Sequence, residues 1–466
     1  MSRAANYLDF NRSRLAAMAE RIRGGDWVRR IGRIVRFVGL TVESTGPDAR
    51  VGEICEIHAR GRRGVTLAEV VGFSDHRVLL MPFGDLQGIE IGSEVIATGR
   101  SADVAVGEEL LGRVIDGFGQ PLDDTPLQPP ARRHTLYPPP INPLHRGMVR
   151  EVLETGIRAI DTLLTLGRGQ RVGIFAGSGV GKSTVLGMLA REVRADVSVI
   201  ALIGERGREV RAFVEEGLSE ESRSRSVVVA ATSDQPPLVR RRAAFLATAV
   251  AEYFREQGLN VCLTMDSITR VAMAQREIGL AAGELPTARG YTPSVFTLLP
   301  RLLERGGVRN AGGSLTALYT VLVEGDDVNE PISDSVRSIL DGHIVLTRDI
   351  AHRGRYPAID VPRSISRLAS GLVSKREHAV VTDAVKLIST FESSRDLIEV
   401  GAYRAGTTPT VDRAIQLNAA LEQFLAQRPD ETESRADACA RLERLLAAEV
   451  QDSKAKLPRP TVAGSA

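Results

Sequence analysis

The chain has 466 residues, 43% of them hydrophobic, and sixty basic residues against fifty-eight acidic ones leave a formal net charge of +2. That length predicts two to four domains with sizeable cores, and the near balance of charge makes no demand for a nucleic-acid partner. No stretch approaches the roughly 18 consecutive apolar residues of a membrane span, no apolar signal core opens the chain, and Cys55, Cys262 and Cys439 stand far apart without CxxC spacing, so a cytoplasmic protein without disulfides or structural zinc is expected.

The first predicted element is an amphipathic helix within residues 1–25. Leu8, Leu15, Met18 and Ile22 share one face, Arg12, Arg14, Glu20 and Arg21 lie elsewhere, and Gly24-Gly25 ends it. It either packs on its own domain or docks on a partner protein or an anionic membrane surface. Residues 26–100 follow as short β-branched runs: VRRIGRIVRFVGLTVES, EICEIHA, TLAEVVGF, RVLLMPF and SEVIATG. Short strands at this spacing predict a small barrel or sandwich. Over residues 28–100 the aromatics are Phe37, Phe73 and Phe83, each as easily explained by core packing.

Over residues 101–370 apolar strands alternate with helical segments, most clearly from Leu110 to Leu368, which predicts βαβ units and a mostly parallel sheet. Gln170–Phe175 reads as a buried parallel strand and Ser183–Arg194 as a helix with Val185, Leu186, Met188, Leu189 and Val193 at helical spacing. Between them stands FAGSGVGKST, and strand, glycine loop and helix are the context a phosphate cradle requires. Its residues are Ala176, Gly177, Ser178, Gly179, Val180, Gly181, Lys182, Ser183 and Thr184, with Ala176 where the strict pattern has Gly. Backbone N–H groups and the positive helix end would face an anion, Lys182 would reach the β- and γ-phosphates, and Ser183 would take one position on Mg²⁺.

The next strand, Val197–Ile203, runs into Gly204-Glu205-Arg206-Gly207-Arg208-Glu209. A carboxylate at a strand end beside the phosphate loop can orient and polarise an attacking water, which makes Glu205 the candidate. Arg206 and Arg208 either neutralise phosphate or pair with Glu209 and Glu215. Leu259–Met265 is a further apolar run that closes on Asp266, at the strand's C-terminal end where ligands sit in open α/β sheets. Alone such an Asp would be a strand-end cap; beside the phosphate loop it is the magnesium-side residue.

Residues 371–451 carry helical apolar spacing, with Val380, Val381, Ala384, Val385, Leu387 and Ile388, then Leu417, Leu421, Phe424 and Leu425. A helical domain is expected there, followed by a disordered tail over 452–466.

GERGREV at 204–210, MDSITRVAMAQREIGLAAGELPTARGYTPSVF at 265–296, TVLVEGDDVNEPISDSVRSILDGHIVL at 320–346 and RYPAIDVPRSISRL at 355–368 resemble blocks of the catalytic subunits of rotary ATP synthases. They resemble the type III secretion ATPases more closely still. FAGSGVGKS with LGMLAR and AD is most similar to the flagellar export ATPase family, where Ala at position 176 is usual. The resemblance implies an α/β fold: a small N-terminal β-barrel, a central RecA-like P-loop domain and a C-terminal helical domain. It implies the same roles for Lys182, Ser183, Glu205 and Asp266, and adds two residues that spacing does not select. Arg367 matches an arginine supplied to the active site of the next subunit, and Tyr356 an aromatic that stacks on adenine. Tyr403 is either a second adenine-pocket residue or a packed tyrosine.

The family implies an ATP- and Mg²⁺-dependent homo-hexamer in the cytoplasm, peripheral to the inner membrane at the export apparatus. Its ATP hydrolysis would help release and unfold export substrates from chaperones at an export gate. A stator or regulator protein is expected at the N-terminal helix, and no nucleic acid. Two close alternatives are the ATPase of a virulence injectisome and a non-catalytic nucleotide-binding ring subunit, which would lack a carboxylate at Glu205. An RNA-translocating hexamer would need stacking aromatics and a basic groove on the barrel.

Overall fold

The computed structural model describes residues 31–447 apart from 60–63, 100–101, 124, 129, 131, 140, 311, 324–326 and 328–329. The helix expected over residues 1–25 and the tail over 452–466 lie outside the described residues. Two compact units are present, Met1–Ala102 and Asp103–Ala466.

In the first unit six antiparallel strands close into a barrel. Their order is Ile31–Val38, Thr41–Ser44, Arg77–Pro82, Val65–Ser74, Ile54–His58 and Glu94–Ala97, the last pairing with the first. Closure removes the exposed edges that an open sheet would present. Alternate residues point inward, so Ile34, Val42, Cys55, Ile57, Ala68, Val70, Val78, Leu80 and Val95 fill the interior. The run Val28–Ser44, one stretch by composition, is divided by a turn at Gly39, whose φ of 55° suits glycine. Core packing accounts for Phe83, but Phe37 and Phe73 are 36% and 53% exposed, which corrects the expectation for both. Each follows a register shift and pairs with an inward residue, Phe37 with Val42 and Phe73 with Val78, but both lie at strand ends beside hairpin turns, where the barrel interior no longer covers them.

The second unit is built on a ten-stranded sheet. Its main path runs Ile365–Ser366, Gly342–Leu346, Arg171–Ala176, Ser314–Leu322, Asn260–Asp266, Val197–Ile203, Ser226–Ala231 and Val114–Ile115. From Gly342–Leu346 to Val114–Ile115 every pairing is parallel; Ile365–Ser366 is antiparallel to its neighbour. Val197–Ile203 is buried at every residue, as a strand covered on both faces must be. Because the central strands run in one direction, their C-terminal ends meet at one edge of the sheet, and the loops that carry chemistry converge there.

Three helices, Lys375–Glu399, Pro409–Leu425 and Arg435–Ala447, form the C-terminal region. The first opens with a capping box between Ser374 and Glu377. Ala384, Leu387, Ile388, Leu417, Leu421, Phe424 and Leu425 share one core with Ile160, Val180, Val185 and Leu189, and Val380, Val381 and Val385 pack on it half-buried. One hydrophobic cluster therefore joins these helices to the segment around the glycine loop.

Candidate nucleotide site

Strand Arg171–Ala176 lies between Ser314–Leu322 and Gly342–Leu346, and the helix Lys182–Glu192 follows the loop 177–181. Ala176 is the last strand residue, in register with Leu322 and Leu346 and buried. Extended backbone makes no call on glycine there, which is the physical reason alanine is tolerated. Gly179 and Gly181 are different: their φ values of 78° and 88° lie in the left-handed region. Gly181 caps the helix, and Val180 between the two glycines is fully buried in the shared core, so the loop is pinned at its centre while Ser183 and Thr184 stay exposed.

Asp266 ends its strand, and the next helix, Ile268–Ala281, is capped by the Ser267 hydroxyl, which accepts from the Arg270 N–H. The cap is thus Ser267, and the Asp266 carboxylate is left to face the loop. Lys182 Nζ donates to Asp266 Oδ1 at 2.5 Å and to Glu205 Oε1 at 3.4 Å. The three side chains are 12%, 7% and 13% exposed, respectively. Burial, then the charge of Asp266, pushes the Glu205 carboxyl above the usual range, with Lys182 opposing and Glu209 adding to the rise. A nearly buried carboxylate with a raised proton affinity, within reach of the lysine of the glycine loop, can accept a proton from water or hold it in line.

Gly204, with φ of 72°, turns the chain between strand and Glu205, and a Cβ there would stand 2.9 Å from Cβ of Arg270. Arg206 pairs with Glu209 at 3.3 Å, whereas Glu215 is taken by Arg211 at 2.8 Å and not by Arg206 or Arg208. Helical geometry decides this, because Arg211 and Glu215 are one turn apart on the helix Gly207–Glu215. Arg208 is exposed.

The Tyr356 side chain lies beside the loop: a Cβ on Gly181 would be 3.4 Å from its ring carbons, and Tyr356 is 44% exposed. Tyr403 lies in the turn before helix Pro409–Leu425, and its hydroxyl donates to the Thr408 carbonyl and to Asp412 Oδ1 at 3.1 and 3.0 Å. Arg367 is exposed; its N–H donates to the Asp341 carbonyl at 3.0 Å, just before strand Gly342–Leu346, and its guanidinium reaches the Arg337 carbonyl at 3.4 Å. Arg367 therefore sits at the N-terminal end of the parallel sheet, away from the edge that carries the loop.

Thr320 and Arg270 are groups that sequence reasoning passed over. Thr320 Oγ1 donates to Asp266 Oδ1 at 2.6 Å from the neighbouring strand, fixing the carboxylate that meets Lys182. Its one signal was a hydroxyl in a buried strand, which needs a partner, but Ser314, Thr316 and Tyr319 of the same strand carry that signal equally. Arg270 packs against Gly204 and so backs Glu205.

A glycine loop at a helix N-terminus, with its lysine between carboxylates from two other strands of a parallel sheet, defines a P-loop nucleotide-binding fold. Residues 156–366 match the ATP synthase alpha/beta family nucleotide-binding domain, 34–99 its beta-barrel domain, and 373–444 the T3SS EscN ATPase C-terminal domain. The flagellum-specific ATP synthase of Bacillus subtilis is 54% identical, covering 87% of this chain and 93% of its own length. A type 3 secretion system ATPase of Xanthomonas euvesicatoria is 48% identical over 86% of this chain and 91% of its own. The assembled ATPase EscN of the enteropathogenic E. coli type III secretion system superposes with a TM-score of 0.85, at 43% identity over 89% of this chain and all of that one. EscN in complex with its central stalk EscO gives 0.82 at 42% identity, again over 89% and 100%. The chain belongs to the ATP synthase alpha/beta family, in the branch of the flagellum-specific ATP synthases and type III secretion ATPases, and is an ATPase.

Proposed function

We propose that this chain is the ATP-hydrolysing motor of a flagellar protein export apparatus, working as a homo-hexamer. The observation that carries the chemistry is the meeting of Lys182, Glu205 and Asp266 at the mouth of the glycine loop. Loop N–H groups and Lys182 bind the phosphates, and Glu205 orients and polarises the attacking water. The Ser183 hydroxyl and the Asp266 carboxylate are hard oxygen donors that suit Mg²⁺ and would hold it, Asp266 through water. Mg²⁺ held by these residues would supply neutralisation of the phosphate charge.

Tyr356 stacks on the adenine. We assign the base contact to Tyr356 alone, because the Tyr403 hydroxyl is engaged by Thr408 and Asp412. Arg367 serves the site of the next subunit. Its N–H is tied to Asp341, five residues before the end of strand Gly342–Leu346, so about 16 Å of strand separates it from the loop of its own chain.

The assembled state and stalk complex of EscN support a ring and a regulatory partner for this chain too. Export substrates, their chaperones, an export gate and a cytoplasmic position at the inner membrane complete the reading. Among the described residues no helix is long and apolar enough to cross a membrane. On the barrel Arg33 pairs with Glu94 and Arg77 with Glu43, which argues against a basic groove for nucleic acid despite the exposed Phe37 and Phe73. The injectisome reading shares every catalytic group; the higher identity to the flagellar relative favours the flagellum.

The test is the ATPase rate per chain against protein concentration, with assembly size followed in parallel, for wild type, Glu205→Gln and Arg367→Ala. Specific activity should climb with assembly, and both variants should bind ATP, Glu205→Gln losing about 10² to 10⁴ in rate and Arg367→Ala about 10³ to 10⁵. A rate independent of concentration together with a harmless Arg367→Ala would remove the ring mechanism.

A further inference from the structure

The Tyr356 ring is half exposed, so packing alone does not set its direction; its backbone must. The Tyr356 carbonyl accepts from the Gln427 N–H at 2.9 Å, and Gln427 is 4% exposed in the segment after helix Pro409–Leu425. The Gln427 side chain is held on every polar atom. Its Nε2 donates to the Gly156 and Glu431 carbonyls, each at 2.8 Å, and its Oε1 accepts from the Arg158 N–H at 2.8 Å. Only a primary amide of this length can donate twice and accept once there.

The receiving surface is itself rigid. Asp161 accepts from the Thr155 N–H, the Thr155 hydroxyl and the Gly156 N–H at 2.7 to 2.9 Å, which fixes the turn that presents the Gly156 carbonyl. The buried Arg158 guanidinium then grips the same segment, donating to Glu431, Glu433 and the carbonyls of Phe424 and Ala426. Arg191, in the last turn of the helix that begins with Lys182, donates to the Pro429 carbonyl at 3.0 Å.

We propose that Gln427 is a positioning residue for base recognition: its amide locks the segment whose N–H holds the Tyr356 backbone, and so aims the Tyr356 ring at the base. This rests on the reading that Tyr356 stacks on adenine. Gln427 itself touches no nucleotide atom in this account. It joins the base side of the pocket to the C-terminal helices through hydrogen bonds that span about 270 residues of chain.

The experiment compares binding of ADP with that of inorganic tripolyphosphate, a probe without a base, by full-length wild type, Gln427→Leu and Gln427→Glu. Gln427→Leu should weaken ADP about tenfold, the order of one lost aromatic stack, and leave tripolyphosphate unchanged. Gln427→Glu keeps the size and one acceptor but turns a carboxylate oxygen on the Gly156 and Glu431 carbonyls, so it should weaken ADP at least as much, and it carries the test should the leucine variant fail to fold. Equal weakening of both ligands would make Gln427 a general structural support and overturn the proposal, as would no change in either. Tyr356→Ala is measured alongside: full ADP affinity in that variant would remove the stacking reading itself, an outcome distinct from any result at Gln427.

Discussion

Lys182 and Asp266, 84 residues apart in the chain, form an ion pair at 2.5 Å, and Glu205 stands 3.4 Å from the same ammonium. One cation thus faces two carboxylates inside a mostly buried pocket. The second carboxylate holds its proton more tightly in consequence, and Glu205 is the one so raised. The pocket is a place where a further cation or a proton is welcome, as the proposed Mg²⁺-dependent hydrolysis would require.

The acidic limb of kcat/KM should therefore lie above the usual glutamate range, because Glu205 must be ionised to work on water. Glu209 contributes to the rise through a hydrogen bond and its charge. Glu209→Gln should move that limb to lower pH, read from a pH–rate profile on both proteins. An unmoved limb would show that Glu205 is not the titrating base.

If Arg367 acts across an interface, two dead variants should rescue each other. Mixed rings of Glu205→Gln and Arg367→Ala contain interfaces where an intact Glu205 meets an intact Arg367. Activity of the mixture should exceed either variant alone and pass through a maximum near equal proportions. An arginine finger is worth roughly 10³ to 10⁵ in rate, so the recovered signal stands far above background.

Asp161 links pH to the stability of the same region. Burial pushes its carboxyl from 3.8 to about 6, against three hydrogen bonds that favour the ionised form. The native chain therefore binds this proton more tightly than the unfolded one: the stability involved is full below pH 3.8 and is lost as pH rises through about 6. Asp161→Asn cannot titrate, so its deficit relative to wild type should shrink between pH 4 and pH 7 in paired denaturant titrations. A constant deficit would contradict the raised value.

Gly204→Ala should cost about 1 to 3 kcal/mol, since alanine is strained at this backbone angle. The new methyl would also press on Arg270 at 2.9 Å. Thermal unfolding measures the first effect. The second should appear as a fall in kcat with ATP binding kept, because relieving the clash with Arg270 shifts the turn that holds Glu205.

What could be read early was local. The glycine loop declares itself within ten residues, since loop conformation and helix onset depend on near neighbours, and the strands ending at Ile203 and Asp266 show as apolar runs. Tyr356 and Arg367 came only through family resemblance, because nothing in their own neighbourhoods marks them. Phe37 and Phe73 were misjudged for a related reason: composition shows an aromatic in a strand, and only the folded barrel shows that the strand end carrying it is left uncovered.

The amino-acid sequence by itself determined the fold class and the glycine loop and marked the candidate reacting groups, because hydrophobic period and glycine placement act over a few residues. Tertiary structure decided which carboxylate Lys182 meets, that Thr320 steadies Asp266, that Arg367 faces away from its own loop, and that Gln427 holds Tyr356. Each of these depends on strand order in the sheet or on docking between segments far apart in the chain. Hydrogen bonds and ion pairs reach only about 3 to 4 Å, so no such pairing exists until the sheet has brought its partners together.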